Sequence, residues 1–237
     1  MATKNPEIYP FFKEFSADKP ILKECISKLI SESPITYEHT VRVVRTSLPV
    51  ISLYLDPEFT DISTYADTIH DMGKISIPEV NATSDLIDRM TLEKIRTHME
   101  NLKPNLDDIK NKVGGDDNGL TDKAYRIAMT HHDILPTDLF NQTYYPRKFS
   151  SSNNGHQPLE EKNEILMALI LSLADKASRI GVFKKNIDHM WKEKIFHISI
   201  DDVNLAVVDP IKLRKIFTNN SLQILAQKIW ESGESLT

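Results

Sequence analysis

Apolar positions recur at helical spacing through most of the chain. Ile21, Leu22, Cys25, Ile26, Leu29 and Ile30 form a one-sided stripe that predicts a helix over Pro20 to Ile30. Thr36 to Leu48 is a second, with Val41, Val44 and Leu48 on one face and Pro49 expected to kink or end it. A third runs from about Asp61 to Met72, apolar at Ile62, Tyr65, Ala66 and Ile69, with Thr60 as N-cap and Gly73 as the C-terminal breaker. Thr91 to Leu102 is a fourth, closed before Pro104. Thr121 to His132 is a fifth, capped by Thr121, with Ala124, Ile127 and Ala128 facing inward. The sixth, Glu164 to Ile180, is apolar almost all round and so belongs at the centre of a bundle. Alternation is confined to Phe196 to Val208, where Ile198, Ile200 and Val203 fit either a strand or the entry to a helix. Pro136 to Pro158 has no periodicity and reads as a long loop.

Composition narrows this to a globular protein. Of 237 residues, 40% are hydrophobic and 27% charged, and 29 basic against 34 acidic side chains leave a formal charge of −5. Mild acidity argues against a broad basic face for duplex nucleic acid. Cys25 is the one cysteine and forms no internal disulfide. No signal pattern opens the chain, and the apolar stretch Ile165 to Ala174 is too short to span a bilayer. The expectation is a cytoplasmic protein, in which the Asn-x-Ser/Thr triplets at Asn81, Asn141 and Asn219 are chance occurrences. Seven glycines leave no nucleotide-binding glycine motif. The nearest approach, Gly114 to Gly119, has Leu120 where a P-loop needs Lys. As a calcium loop it has Gly114 and Tyr125 where acidic ligands belong, so it is a turn.

The candidate chemistry lies in histidines. Among eight, His39, His70, His98, His131 and His132 fall on or at the ends of four predicted core helices. Asp71 follows His70, and Asp175 ends the most apolar helix. An unpaired carboxylate there costs several kcal/mol, so Asp175 requires a cationic partner, a hydrogen-bond network or a metal. Any single helical histidine is accounted for by an ordinary hydrogen bond. The pair His131-His132 is different: consecutive helical residues diverge by ~100°, so both reach one site only near a helix end.

The segment His70-Asp71-Met72-Gly73-Lys74-Ile75-Ser76-Ile77-Pro78 resembles the H-D-x-G-K-I-x-I-P signature of HD-domain metal-dependent phosphohydrolases, in their HD-GYP branch. His39-Thr40-Val41-Arg42-Val43 is similar to the family's H-x-x-R-V helix, and Ile95-Arg96-Thr97-His98 to its I-x-x-H element. His131-His132-Asp133 resembles H-H-E, and Leu173-Ala174-Asp175 the helix ending in the last metal-binding Asp. The elements run in order from about residue 36 to 185.

The resemblance implies an all-α HD-domain bundle of about six to nine helices around a metal site. It would occupy 35–185, with N-terminal (1–34) and C-terminal (186–237) helical extensions. It implies that His39, His70, Asp71 and Asp175 hold one metal and that His98, His131 and His132 hold a second, with Asp71 bridging. Imidazole and carboxylate donors suit Fe or Mn, with Zn, Mg, Ni or Co as alternatives. A bridging Asp keeps two cations close enough to activate a shared water for attack on phosphorus. Lys74 would contact the substrate phosphate, and Asp133 would orient a ligand imidazole.

Past His131-His132 the chain departs from the family's x-x-D-G-x-G-Y-P: neither glycine is present, and Tyr145-Pro146 stands five residues late. Lys184 stands where the family has Arg. Lys74, Lys184 and Tyr145 are the expected substrate contacts. The implied activity is hydrolysis of a cyclic dinucleotide, above all cyclic di-GMP, or of its linear product. The alternatives are a phosphohydrolase of another nucleotide and a catalytically silent nucleotide- or partner-binding sensor. A homodimer or a regulatory protein partner is left open.

Overall fold

The computed structural model describes residues 8–77, 97–114, 117–132, 159, 161, 163–175, 198–200 and 203–205. Its helices are α1 (Pro10–Phe15), α2 (Pro20–Glu32), α3 (Pro34–Tyr54), α4 (Pro57–Ile69), α5 (His98–Val113) and α6 (Leu120–Thr130), with a 3-10 segment at Met72–Ser76. A further helix, α7, covers 163–175. The fold is all-α. Outside the helices, β1 (Ile198–Ile200) pairs antiparallel with β2 (Val203–Leu205), Ile198 opposite Leu205. Ile198, Ile200 and Val203 are therefore strand, in a span expected to be a helical extension. No helix among the described residues is long and apolar enough to cross a membrane.

The stripe on α2 is buried as its spacing requires: Ile21, Leu22, Cys25, Ile26 and Leu29 are all core. Burying each large side chain contributes about 1.5–3 kcal/mol. The helix packs on α3, α4 and α5. Helix α1 brings Phe12 into the same core, where its ring tilts against Tyr37 at 6.1 Å.

Several boundaries differ from the pattern, each for a physical reason. Helix α3 continues through Pro49, although a proline inside a helix costs about 3 kcal/mol. Val50 and Ile51, directly after it, are fully buried and offset that cost. Helix α5 likewise carries Pro104 in its interior, between buried Leu102 and Leu106, so Pro104 does not close it. Its predicted first turns, 91–96, lie outside the described residues. Helix α4 begins at Pro57, a turn before the expected cap; Thr60 lies inside it, and proline at the first position supplies the start. Thr121 is not the cap of α6 either. The Asp117 carboxylate accepts from the Thr121 amide at 2.9 Å and from its hydroxyl, while Gly119 turns the chain at φ 75°.

Helix α4 is central, with every residue from Ser63 to Ile69 buried. It ends at Ile69, and His70 and Asp71 lead into the 3-10 segment. Gly73 is absent from the left-handed region; its role is close approach, since a Cβ there would stand 1.7 Å from the His98 carbonyl oxygen. Helix α4 packs mainly on α3 and α6, and the 3-10 segment on α5. The ends of these elements meet on one side of the core.

Candidate metal centre

His39 comes from α3, His70 and Asp71 from the turn after α4, and Lys74 from the 3-10 segment. His98 is the first residue of α5, His131 and His132 follow α6 directly, and Asp175 is the last described residue of α7. His70, Asp71 and His131 are 0% exposed, and His98, Asp175, Lys74 and His39 are buried too. Their ligand atoms fall into two groups. In the first, atoms of His39, His70, Asp71 and Asp175 lie within 4.8 Å of one another; in the second, so do those of His98, His131 and His132. The two consecutive histidines converge because α6 stops at Thr130, before either of them.

Asp71 stands between the groups. Its Oδ2 is 3.4 Å from both His39 Nε2 and His70 Nε2, while its Oδ1 is 3.3 Å from His98 Nε2. The His131 ring, of the second group, faces the first as well, 5.1 Å from the His70 ring and 6.0 Å from that of His98. Asp175 Oδ1 meets His39 Nε2 at 2.9 Å, which supplies the partner its burial requires. Lys74 Nζ pairs with Asp71 Oδ2.

The backbone fixes two imidazoles in one tautomer. His70 Nδ1 lies 2.8 Å from the Asp67 carbonyl, and His131 Nδ1 lies 2.5 Å from that of Ala128. A carbonyl only accepts, so each Nδ1 carries a proton and each Nε2 presents its lone pair when the ring is neutral. Both Nε2 atoms are buried and lack a hydrogen bond among the described residues. The lone pair of His70 Nε2 therefore faces the Asp71 carboxylate, an arrangement that calls for a proton or a metal cation in between. An Nδ1 tied to a carbonyl with a free Nε2 is also how proteins orient metal-binding histidines.

Electrostatics agree with this. Burial opposes the charge on Asp71, yet Lys74, His70 and His98 overcome it and hold the carboxyl well below its usual range. Burial pulls His39 down to about 4 against the pull of Asp175, and burial with the His70 charge keeps His131 well below an ordinary imidazole. Burial opposes the charge on His70 as well, but Asp71 and Asp175 together overcome it and raise this imidazole. The imidazole and carboxylate donors are compatible with divalent metal binding, a cation standing in for the proton that the carboxylates favour on His70.

The expected ligands are thus brought together. Asp133, Tyr145 and Lys184 lie outside the described residues. One neighbour was not singled out in the sequence: Asp67, fully buried, accepts from the Ser47 hydroxyl, and burial raises its carboxyl to about 7. Its position three and four residues before His70 and Asp71, within the span predicted as one helix, was the available signal.

No protein-family model matches the chain, and no curated protein matches it in sequence. Among solved structures it is similar to the HD domain of the phosphodiesterase PgpH of L. monocytogenes, at 16% identity and a TM-score of 0.47, over 92% of this chain and 99% of that one. A likeness of that degree leaves the chemistry of the site to its own residues.

Proposed function

We propose that the chain is a metal-dependent phosphohydrolase of the HD type, holding two divalent cations that share Asp71. The observation behind this reading is the split of the Asp71 carboxylate, with Oδ2 toward His39 and His70 and Oδ1 toward His98. A carboxylate so placed, between two groups of buried ligand atoms, suits a bridge between cations. When bound, the cations supply Lewis acidity and an activated water for in-line displacement at phosphorus.

The protein's own residues do the rest. His70 and His131 hold a proton at Nδ1 and turn Nε2 to the site for ligation, where a cation would displace the second proton that Asp71 favours on His70. Asp71 stays ionised and anchors Lys74 beside it. From there the Lys74 ammonium stabilises negative charge on a phosphoryl group. Burial of the site limits water and strengthens each of these interactions. Asp133, Tyr145 and Lys184 enter the proposal on sequence grounds, Asp133 to orient an imidazole and the other two to contact substrate.

The proposed substrate is a cyclic dinucleotide, cyclic di-GMP first, or its linear product, on the strength of the ordered motif from His39 to Asp175. A sensor that binds a nucleotide without cleaving it is the second reading, favoured by the missing glycines after His131-His132. Metal-loaded protein assayed against cyclic di-GMP, other cyclic dinucleotides, linear dinucleotides and mononucleotides separates the two. Turnover of a cyclic dinucleotide is expected. Turnover of mononucleotides alone moves the substrate assignment, and binding without turnover supports the sensor.

A further inference from the structure

The second ligand group begins at a weak point. His98 is the first residue of α5, and the first turn of any helix has amides without intrahelical partners and frays readily. Yet His98 is 1% exposed and 3.3 Å from Asp71, so something outside the helix must hold its first turns against the Asp71 turn.

Two contacts do so. Gly73 lies so close to α5 that an added Cβ would stand 1.7 Å from the His98 carbonyl oxygen, 2.7 Å from its carbon and 3.1 Å from the Leu102 nitrogen. Two turns further along α5, Asn105 donates from Nδ2 to the Met72 carbonyl at 3.1 Å and to Ser76 Oγ at 3.2 Å. Ser76 Oγ in turn lies 3.4 Å from Asn105 Oδ1. One carboxamide thus grips both ends of the five-residue 3-10 segment that follows Asp71. The Met72 carbonyl belongs to the residue directly after Asp71.

We propose that Asn105 is a positioning residue: with Gly73 it registers the Met72–Ser76 segment on α5 and so fixes the distance between the two ligand groups. The role rests on the two-cation reading above. Asn105 touches no ligand atom. It acts through the backbone of Met72 on Asp71, and through α5 on His98.

Asn105→Asp keeps the size of the side chain and removes its donor; Asn105→Gln keeps a donor. The lock is read without metal, by amide hydrogen exchange over 72–77 in the full chain. Asn105→Asp is expected to speed that exchange about tenfold, the worth of one net hydrogen bond, with α2 and α3 unchanged. Asn105→Gln restores slow exchange. Unchanged exchange in Asn105→Asp overturns the lock. The positioning role is read by Mn2+ titration with electron paramagnetic resonance. Wild type is expected to show a spin-coupled pair; Asn105→Asp is expected to keep the affinity of the first ion, bind the second about tenfold more weakly and lose the coupling. Coupling and both affinities retained in Asn105→Asp overturn the positioning role while leaving the metal reading intact. A wild-type protein that takes up no Mn2+ overturns the metal reading, and the positioning role with it.

Discussion

The two ligand groups share Asp71 and differ in charge, burial and support. The first, with His39, His70, Asp71 and Asp175, contains two carboxylates and is buried throughout. Its members come from α3, the end of α4 and α7, elements seated in the core. Among the described residues the second contains three imidazoles and no carboxylate of its own, and His132 is only half-buried. Its members stand at a helix start and just past a helix end. A divalent cation in the first group meets compensating charge at once. In the second it meets imidazole donors, and the nearest compensating charge among the described residues is Asp71 Oδ1. The lesson is that the second group depends on the first through one carboxylate, so affinity should be graded: a tight first site and a weaker second.

That grading can be broken most severely at Asp71. Asp71→Ala is expected to weaken uptake at both groups and to lower any turnover about 100-fold or more, since the shared charge is gone. Calorimetric titration and steady-state rates check this. Two ions bound with wild-type affinity would show that the groups are independent.

Removing one private ligand from each group sharpens the contrast. Asp175→Ala should cost the tight site, leaving about one weakly held ion per chain. His132→Ala should leave the tight site untouched and weaken the second at least about 10- to 100-fold, since losing even the hydrogen-bond partner of a ligand costs that much. Elemental analysis after gel filtration reads both. If His132→Ala strips both ions, the ranking is inverted.

The smallest effect on metal uptake is expected at Asp67, beside the first group. Its folded pKa of about 7 lies above the ordinary 3.8, so between those values the folded state holds a proton that the unfolded chain has lost. Stability from this group is then full below about pH 4 and declines as pH rises to about 7. Asp67→Asn removes that decline. It should match wild type near pH 4, exceed it by roughly a few kcal/mol at most at pH 8, and leave ion stoichiometry unchanged. Denaturant melts across that pH range read the difference. Parallel pH profiles for the two proteins would contradict it.

Much of this contrast was legible in the residues. The stripe from Ile21 to Leu29 located α2, and His39, His70-Asp71, His98, His131-His132 and Asp175 stood out by type and order. The adjacency of His131 and His132 even required a helix end, and α6 stops at Thr130. What could not be read was backbone work. The carbonyls of Asp67 and Ala128 that set the two tautomers leave no mark on side-chain identity. Pro49 read as a kink or an end and Pro104 as an end; neither ends its helix, because local rules ignore the burial of Val50, Ile51, Leu102 and Leu106, which outweighs them. Thr60 and Thr121 looked like caps, but Pro57 and Asp117 start those helices. Gly73 read as a breaker, while its need is set by a helix met only in three dimensions.

The two-cation reading has the two groups joined by Asp71 each holding a divalent cation. Its most direct test is metal content: protein purified without chelator, then titrated with Mn2+ or Fe2+ and measured by elemental analysis. About two ions per chain are expected for wild type, bound in a tight and a weaker step. A wild-type protein that neither carries nor takes up metal would contradict the account.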